Sequence, residues 1–256
     1  MWNLLQSYMT PRRLVNSAVN ILDGFLTEML AMCPARYFVG MAAPILNMPP
    51  EYLDGSPNTK APMPSAHFIH GAFDGDGEHH IDWLAPFFAA RGFEPITGFD
   101  YGWTGVFSAM VFNERIARML AAEVSPGDIG VGHSNGCAIL KDAADIGAPF
   151  HELILLNPAL DNSVEFAPQL KRIHVFYSPS EIPTEIARYL PLHPWGNMGR
   201  VGYRGKDPRV INVDLESAYQ FPAHGHIYFS GHPEAREWWG PQIAAVADMP
   251  QRKERT

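Results

Sequence analysis

The residues of this chain best suited to chemistry stand at Gly132-His133-Ser134-Asn135-Gly136, between an apolar run over Asp128–His133 and a helical segment beginning near Asn135. A nucleophile on so tight a turn leaves no room for a side chain two residues before or after it, and glycine meets that need at both places. A helix N-cap would explain the serine but not the paired glycines. Ser134 is therefore read as a nucleophile. Its hydroxyl is weak at neutral pH, so attack needs a neighbouring base, and the oxyanion formed needs fixed N–H donors. One donor is the backbone N–H of Asn135, at a helix start where the dipole favours negative charge. The other is expected after an earlier strand, where Ala66–Phe73 runs into a His-Gly turn and Gly71 lets the N–H of Ala72 face Ser134.

Such groups need a scaffold that holds them still. The chain has 256 residues, 46% hydrophobic and 18% charged, with 22 Gly and 23 Pro, which excludes a disordered, collagen-like or coiled-coil chain. The formal charge of -8, from 27 acidic against 19 basic residues, argues against nucleic acid as a partner. Cys33 and Cys137 form no disulfide framework and lack C-x-x-C spacing, so both read as buried apolar filler. Asp23, Glu28 and Arg36 interrupt the most apolar N-terminal stretch, and the run after Arg12 and Arg13 has no clear cleavage site. No transmembrane segment is expected, and the protein is read as cytoplasmic.

Residues 1–64 differ from the rest: a helical apolar pattern over Leu14–Met32 precedes a run of prolines at 44, 49, 50, 57, 62 and 64. They are read as a helical extension and a linker to a catalytic domain over 65–256. There, apolar runs at Ala66–His70, Glu94–Phe99, Asp128–His133, Glu152–Asn157, Arg172–Ser178 and Arg209–Leu215 predict strands. Helices are predicted over His80–Ala90, Val106–Glu123, Asn135–Ile146, Thr184–Leu190 and Pro233–Val246, and Val106, Met110, Asn113, Ala117 and Leu120 share a buried stripe on the second. Strands alternating with helices imply an α/β fold: a doubly wound, mostly parallel sheet with helices on both faces. In such a sheet the chemistry gathers at the carboxyl ends of the strands.

The strand ending in His70-Gly71, the elbow at Gly132–Gly136 and the order of the later runs resemble the α/β-hydrolase superfamily over roughly residues 65–247. The resemblance extends to bacterial and phage-type esterases, and it implies a chain order of nucleophile, acid, then histidine. Glu181, in the turn after Arg172–Ser178, stands where such proteins usually carry Asp; Asp161, after Leu153–Asn157, is the alternative acid. For the base, Phe221–Phe229 offers His224, followed by Gly and an apolar cluster, and His226, preceded by Gly. His224 is preferred and His226 stays open; His232 reads as a capping or surface residue.

No metal or other cofactor is expected. His79 and His80 are adjacent and cannot both face one ion from a regular element, and no H-E-x-x-H occurs. Asp74-Gly75-Asp76-Gly77-Glu78 imitates the start of a calcium loop, but the twelfth position is Ala85, where a bidentate Glu would be required. Between Glu181 and the last strand, glycines recur at 196, 199, 202 and 205 in a segment read either as a loop lining the site or as one packed on the scaffold. Phe73, Tyr101, Trp103, Trp195 and Met198, with Tyr203 as a further candidate, are expected to bind an apolar acyl or alkyl group. The N-terminal helix is expected to cap this pocket or to pair two copies in a homodimer, since Leu14, Ile21, Leu22 and Phe25 need burial. The expected activity is that of a serine hydrolase on a small-molecule carboxylic ester. An acyltransferase or thioesterase would use the same residues, and a catalytically silent binding protein is the reading from another class.

Overall fold

The structure is a computed structural model that describes residues 63–71, 81–99, 106–181, 195–218 and 233–248. The expected N-terminal helix and linker, the calcium-like loop, His79, His80 and the helix over Thr184–Leu190 lie outside these residues. Six strands form one sheet: β1 (Ser65–Ile69), β2 (Glu94–Ile96), β3 (Ile129–His133), β4 (Glu152–Leu156), β5 (Arg172–Tyr177) and β6 (Val210–Asp214). Their order is β2-β1-β3-β4-β5-β6 and each neighbouring pair is parallel. Parallel neighbours require crossovers, and these run through α1 (Ala85–Ala90), α2 (Val106–Glu123) and α3 (Asn135–Asp145); α4 (Met198–Val201), α5 (Leu215–Ala218) and α6 (Pro233–Val246) follow.

Side-chain alternation along β4 shows how both faces are covered. Leu153 and Leu155 pack with Ile116 and Leu120 of α2 and Leu140 of α3, whereas Ile154 and Leu156 pack with Phe88 of α1 and Trp239 and Ile243 of α6. A strand buried on both faces reads as a near-continuous apolar run, as Leu153–Leu156 do after Glu152. The sheet is thus a doubly wound, parallel α/β sheet, and its winding reverses between β1 and β3. A crevice at such a reversal, outside the carboxyl ends of the strands, is where ligands of open parallel sheets bind.

Two of the predicted strands differ from the observed ones for an identifiable local reason. The run expected as a strand over Glu94–Phe99 pairs only through Ile96, because β2 lies at the end of the strand order and Gly98 turns the chain with φ 79°. The run expected from Asp128 begins at Ile129, because the Asp128 carboxylate accepts from the amides of Ser65 and Ser125 and meets His67 Nε2 at 2.9 Å. This buried pair pins the amino ends of β1 and β3. On the other face, Glu152 Oε1 lies 2.9 Å from His174 Nε2 and its Oε2 accepts from the amide of Asp248. Both histidine–carboxylate pairs therefore brace the end of the sheet opposite the elbow.

Candidate active site

The turn from β3 into α3 forces Ser134 to φ 54° and ψ −120°, a conformation that L-residues with side chains rarely hold. It persists because the surrounding backbone fixes it at three points. The Ser134 amide donates to Leu156 O at 3.0 Å, and the Ser134 carbonyl accepts from the amides of Cys137 and Ala159 at 3.1 Å each. The end of β4 thus braces the turn at the end of β3.

The flanking glycines have a measurable steric cause. A Cβ at Gly132 would stand 2.7 Å from Leu140 Cδ1 and 3.0 Å from Cys137 N; one at Gly136 would stand 2.1 Å from Ile69 O and 2.4 Å from His70 O. Gly136 is therefore where α3 approaches the carboxyl end of β1. From the other side Gly71 closes on Ser134, since a Cβ there would lie 3.2 Å from Ser134 Cβ and 3.3 Å from His133 Nδ1. The His-Gly turn after β1 and the elbow after β3 lie side by side at the reversal of the sheet.

Asn135 opens α3, and its backbone N–H belongs to the first turn, where amides lack partners within the helix and the dipole favours an anion. Its side chain is fully buried and anchored on two sides. The Asn135 and Asn113 carboxamides exchange hydrogen bonds at 3.1 Å in each direction, and Asn135 Oδ1 also accepts from Trp195 Nε1 at 3.0 Å. Asn113 thus turns the polar position of the predicted α2 stripe into a tie to the elbow. Trp195, expected to line a pocket, reaches the elbow through its indole N–H and is half-buried.

Glu181 and Asp161, the two candidate acids, have opposite environments. Glu181 is 1% exposed, in a turn where its amide donates to Ser178 O at 2.9 Å, just beyond the carboxyl end of β5. Its Oε2 accepts from Asn157 Nδ2 at 3.1 Å. Asn157 follows β4 in the left-handed region at φ 44°, which asparagine tolerates better than most residues, and its amide also approaches Gly199 O at 3.4 Å. Asp161, in contrast, is exposed, and its Oδ1 is engaged locally by the amide and hydroxyl of Ser163 at 2.9 and 2.7 Å.

The glycine-spaced segment is packed onto the scaffold. The amides of Met198 and Gly199 donate to Leu160 O and Pro158 O at 2.9 and 2.8 Å, and the amide of Ser178 donates to Gly199 O at 2.9 Å. Met198, expected at a pocket wall, is instead fully buried in the cluster shared with α2 and α3, because α4 points it inward. Tyr203 packs on Phe166 with ring centroids 5.8 Å apart. Cys137 is free and buried, and burial drives its thiol far above the ordinary range, which leaves it inert beside the elbow. Ala72, Phe73, Tyr101, Trp103, His224, His226 and His232 lie outside the described residues.

Asn157 and Asn113 are site-supporting residues that the sequence alone does not reveal. Asn157 is followed by Pro158, a turn signal, but nothing local says that its amide reaches a carboxylate 24 positions later. Among the described residues no group of His, Cys, Asp and Glu could hold a metal ion, and no helix is long and apolar enough to cross a membrane.

No family model matches the sequence, and no curated protein matches it. Among solved structures the chain is similar to a pyrethroid hydrolase at 16% identity, over 74% of this chain and 99% of that one, with a TM-score of 0.46. It is also similar to the esterase domain of a Rhodothermus marinus protein, at 14% identity over 75% and 89% of the two chains with a TM-score of 0.46. A third likeness is to a metagenome-derived lipolytic enzyme, at 13% identity over 72% and 94% with a TM-score of 0.44.

Proposed function

We propose that the protein is a serine hydrolase that cleaves a carboxylic ester through Ser134, a histidine after β6 and Glu181. The observation that carries this reading is the strained Ser134 backbone, held at φ 54° by hydrogen bonds from the end of β4 and by contact with the turn after β1. A serine that served only as a helix cap would not need so costly a conformation.

In this reading His224, with His226 as the alternative, removes the Ser134 Oγ proton as the oxygen attacks the ester carbonyl carbon. The backbone N–H groups of Asn135 and Ala72 stabilise the oxyanion of the tetrahedral intermediate. Its collapse breaks the carbon–oxygen bond to the alcohol, which leaves with the proton from the imidazolium. Water, deprotonated by the same imidazole, attacks the acyl-enzyme, and the second collapse releases the carboxylic acid and restores the Ser134 hydroxyl. The Glu181 carboxylate orients the imidazole and stabilises the imidazolium in both halves. The buried Asn157–Glu181 contact supports this choice over Asp161, whose carboxylate is exposed and bound to its own turn. The substrate is a small-molecule ester with an apolar acyl or alkyl group, taken by a catalytic domain over 65–256 that follows a helical extension.

Intact mass after incubation with a fluorophosphonate, for wild type and Ser134→Ala, tests the nucleophile directly, alongside hydrolysis of nitrophenyl esters of graded chain length. One adduct on wild type and none on the variant is the expected result. A folded wild type with neither adduct nor hydrolysis would overturn the reading in favour of a silent binding protein.

A further inference from the structure

The turn that carries Glu181 is held from a second direction, by a carboxylate with no place in the chemistry above. Glu216, on α5, accepts through Oε1 from the Ser178 hydroxyl and from the Ser180 amide at 2.7 Å, and through Oε2 from the Ser180 hydroxyl at 3.1 Å. These contacts span 36 to 38 positions of sequence, so they join separate elements instead of closing a local turn. Pro179 between the two serines restricts the turn further.

Glu216 is itself held in place. Leu215 is buried among the α6-side core residues, and the Asp214 carboxylate accepts from the amides of Glu216 and Ser217 at 2.9 and 3.1 Å. Asp214 also meets the Tyr177 hydroxyl at 3.4 Å, which ties the end of β6 to the end of β5. Hydrogen bonds from Ser217, Glu216 and Tyr177 outweigh burial and hold the Asp214 carboxyl below the usual range, so it stays an acceptor. After α5 the chain continues into residues 219–232, which contain His224 and His226.

We infer that Glu216 is a positioning residue: its carboxylate clamps the Ser178–Glu181 turn to α5 and so sets the acid relative to the histidine that follows on the same stretch of chain. The inference rests on the proposed Ser134, Glu181 and histidine chemistry. An acid displaced by a fraction of its hydrogen-bond length no longer stabilises the imidazolium, although substrate still binds.

The test compares wild type, Glu216→Ala and Glu216→Gln as full chains in fluorophosphonate labelling, thermal midpoint, and kcat and KM for a nitrophenyl ester between about pH 5 and 9. Glu216→Ala is expected to lower kcat about tenfold or more with KM changed less than about twofold. The acidic limb of its kcat/KM profile should move to lower pH, because an imidazolium without its counter-charge loses its proton more readily. Glu216→Gln keeps an acceptor for the Ser180 amide and should recover most of kcat. Wild-type kcat in Glu216→Ala, or a loss of kcat with an unmoved limb, overturns the clamp while leaving the hydrolase reading intact. Absence of labelling in wild type overturns both. If Glu216→Ala does not fold, Ser178→Ala decides by the same limb: a downward shift supports the clamp and an unmoved limb overturns it.

Discussion

The side-chain amide of Asn157 and the carboxylate of Glu181 meet at 3.1 Å between the ends of β4 and β5. A neutral amide donor on a buried carboxylate fixes the orientation of the carboxyl plane between the two strand ends. Asn157→Gly removes the amide while tolerating the left-handed backbone. Steady-state kinetics should show kcat down by about ten- to hundredfold with little change in KM, the worth of one hydrogen bond to a charged group. Asn157→Ala should show the same loss and, in denaturant titration, about 1 kcal/mol of additional destabilisation from the strained φ.

The two acids separate by substitution. On the proposed chemistry, Glu181→Ala is expected to lower kcat on the order of 10⁴-fold, the loss that follows when the orienting carboxylate of a Ser-His-acid triad is disabled. Asp161→Ala should leave kcat/KM within about twofold, since its exposed carboxylate is engaged by Ser163 of its own turn. The reverse pattern would transfer the acid to Asp161.

Strain at Ser134 makes a prediction opposite in sign for stability and activity. Ser134→Gly should abolish ester hydrolysis yet raise stability by about 1 kcal/mol, because glycine adopts positive φ without a clash. The thermal midpoint should rise by roughly 2–4 °C for a domain of this size. An unchanged or lower midpoint would mean that the turn stores no strain.

The glycines of the site should fail differently. At Gly136 an added methyl would stand 2.1 Å from a backbone oxygen of β1, so Gly136→Ala should not yield a folded protein. At Gly71 the nearest atom is Ser134 Cβ at 3.2 Å, which needs only a few tenths of an ångström of movement. Gly71→Ala should therefore fold, with kcat down by about tenfold or more because the nucleophile and its donor shift apart.

Acid should weaken one surface anchor selectively. Arg209 holds the Asp207 carboxyl below its ordinary range by a side-chain hydrogen bond, and the same guanidinium donates to the carbonyls of Phe166, Ala167 and Leu170. A carboxylate whose folded pKa is depressed contributes stability above its unfolded pKa, and that contribution is lost as pH falls through the folded value. The difference in thermal midpoint between wild type and Asp207→Asn should be full at neutral pH and shrink below about pH 4.

The strand runs, the helices among the described residues and the tight turn at Ser134 are legible because each is written in local sequence: apolar runs, helical spacing, and glycines around a serine. Glu181 was legible as a candidate from chain order, but its advantage over Asp161 was not. Both follow strands, and only tertiary packing buries one and exposes the other. Asn113, Asn157 and Glu216 were hidden for a related reason: their partners lie 22, 24 and 36 to 38 positions away, beyond any periodicity. The burial of Met198 is not legible either, because a methionine in a glycine-rich segment has the same local signature whether it faces a ligand or the core.

The short strand β2 affects how the molecule behaves in a crowded solution. The Glu94 amide donates inward to Pro64 O, so alternation turns the nitrogen of Pro95 to the outer side of the strand. Proline carries no hydrogen there, and an incoming strand would find a gap where it needs a donor. With only three paired residues and that gap at their centre, this strand, the last of the sheet among the described residues, offers a poor template for a second sheet. Pro95→Thr or Pro95→Val would restore the donor, and the cost would be read in aggregation, not in catalysis.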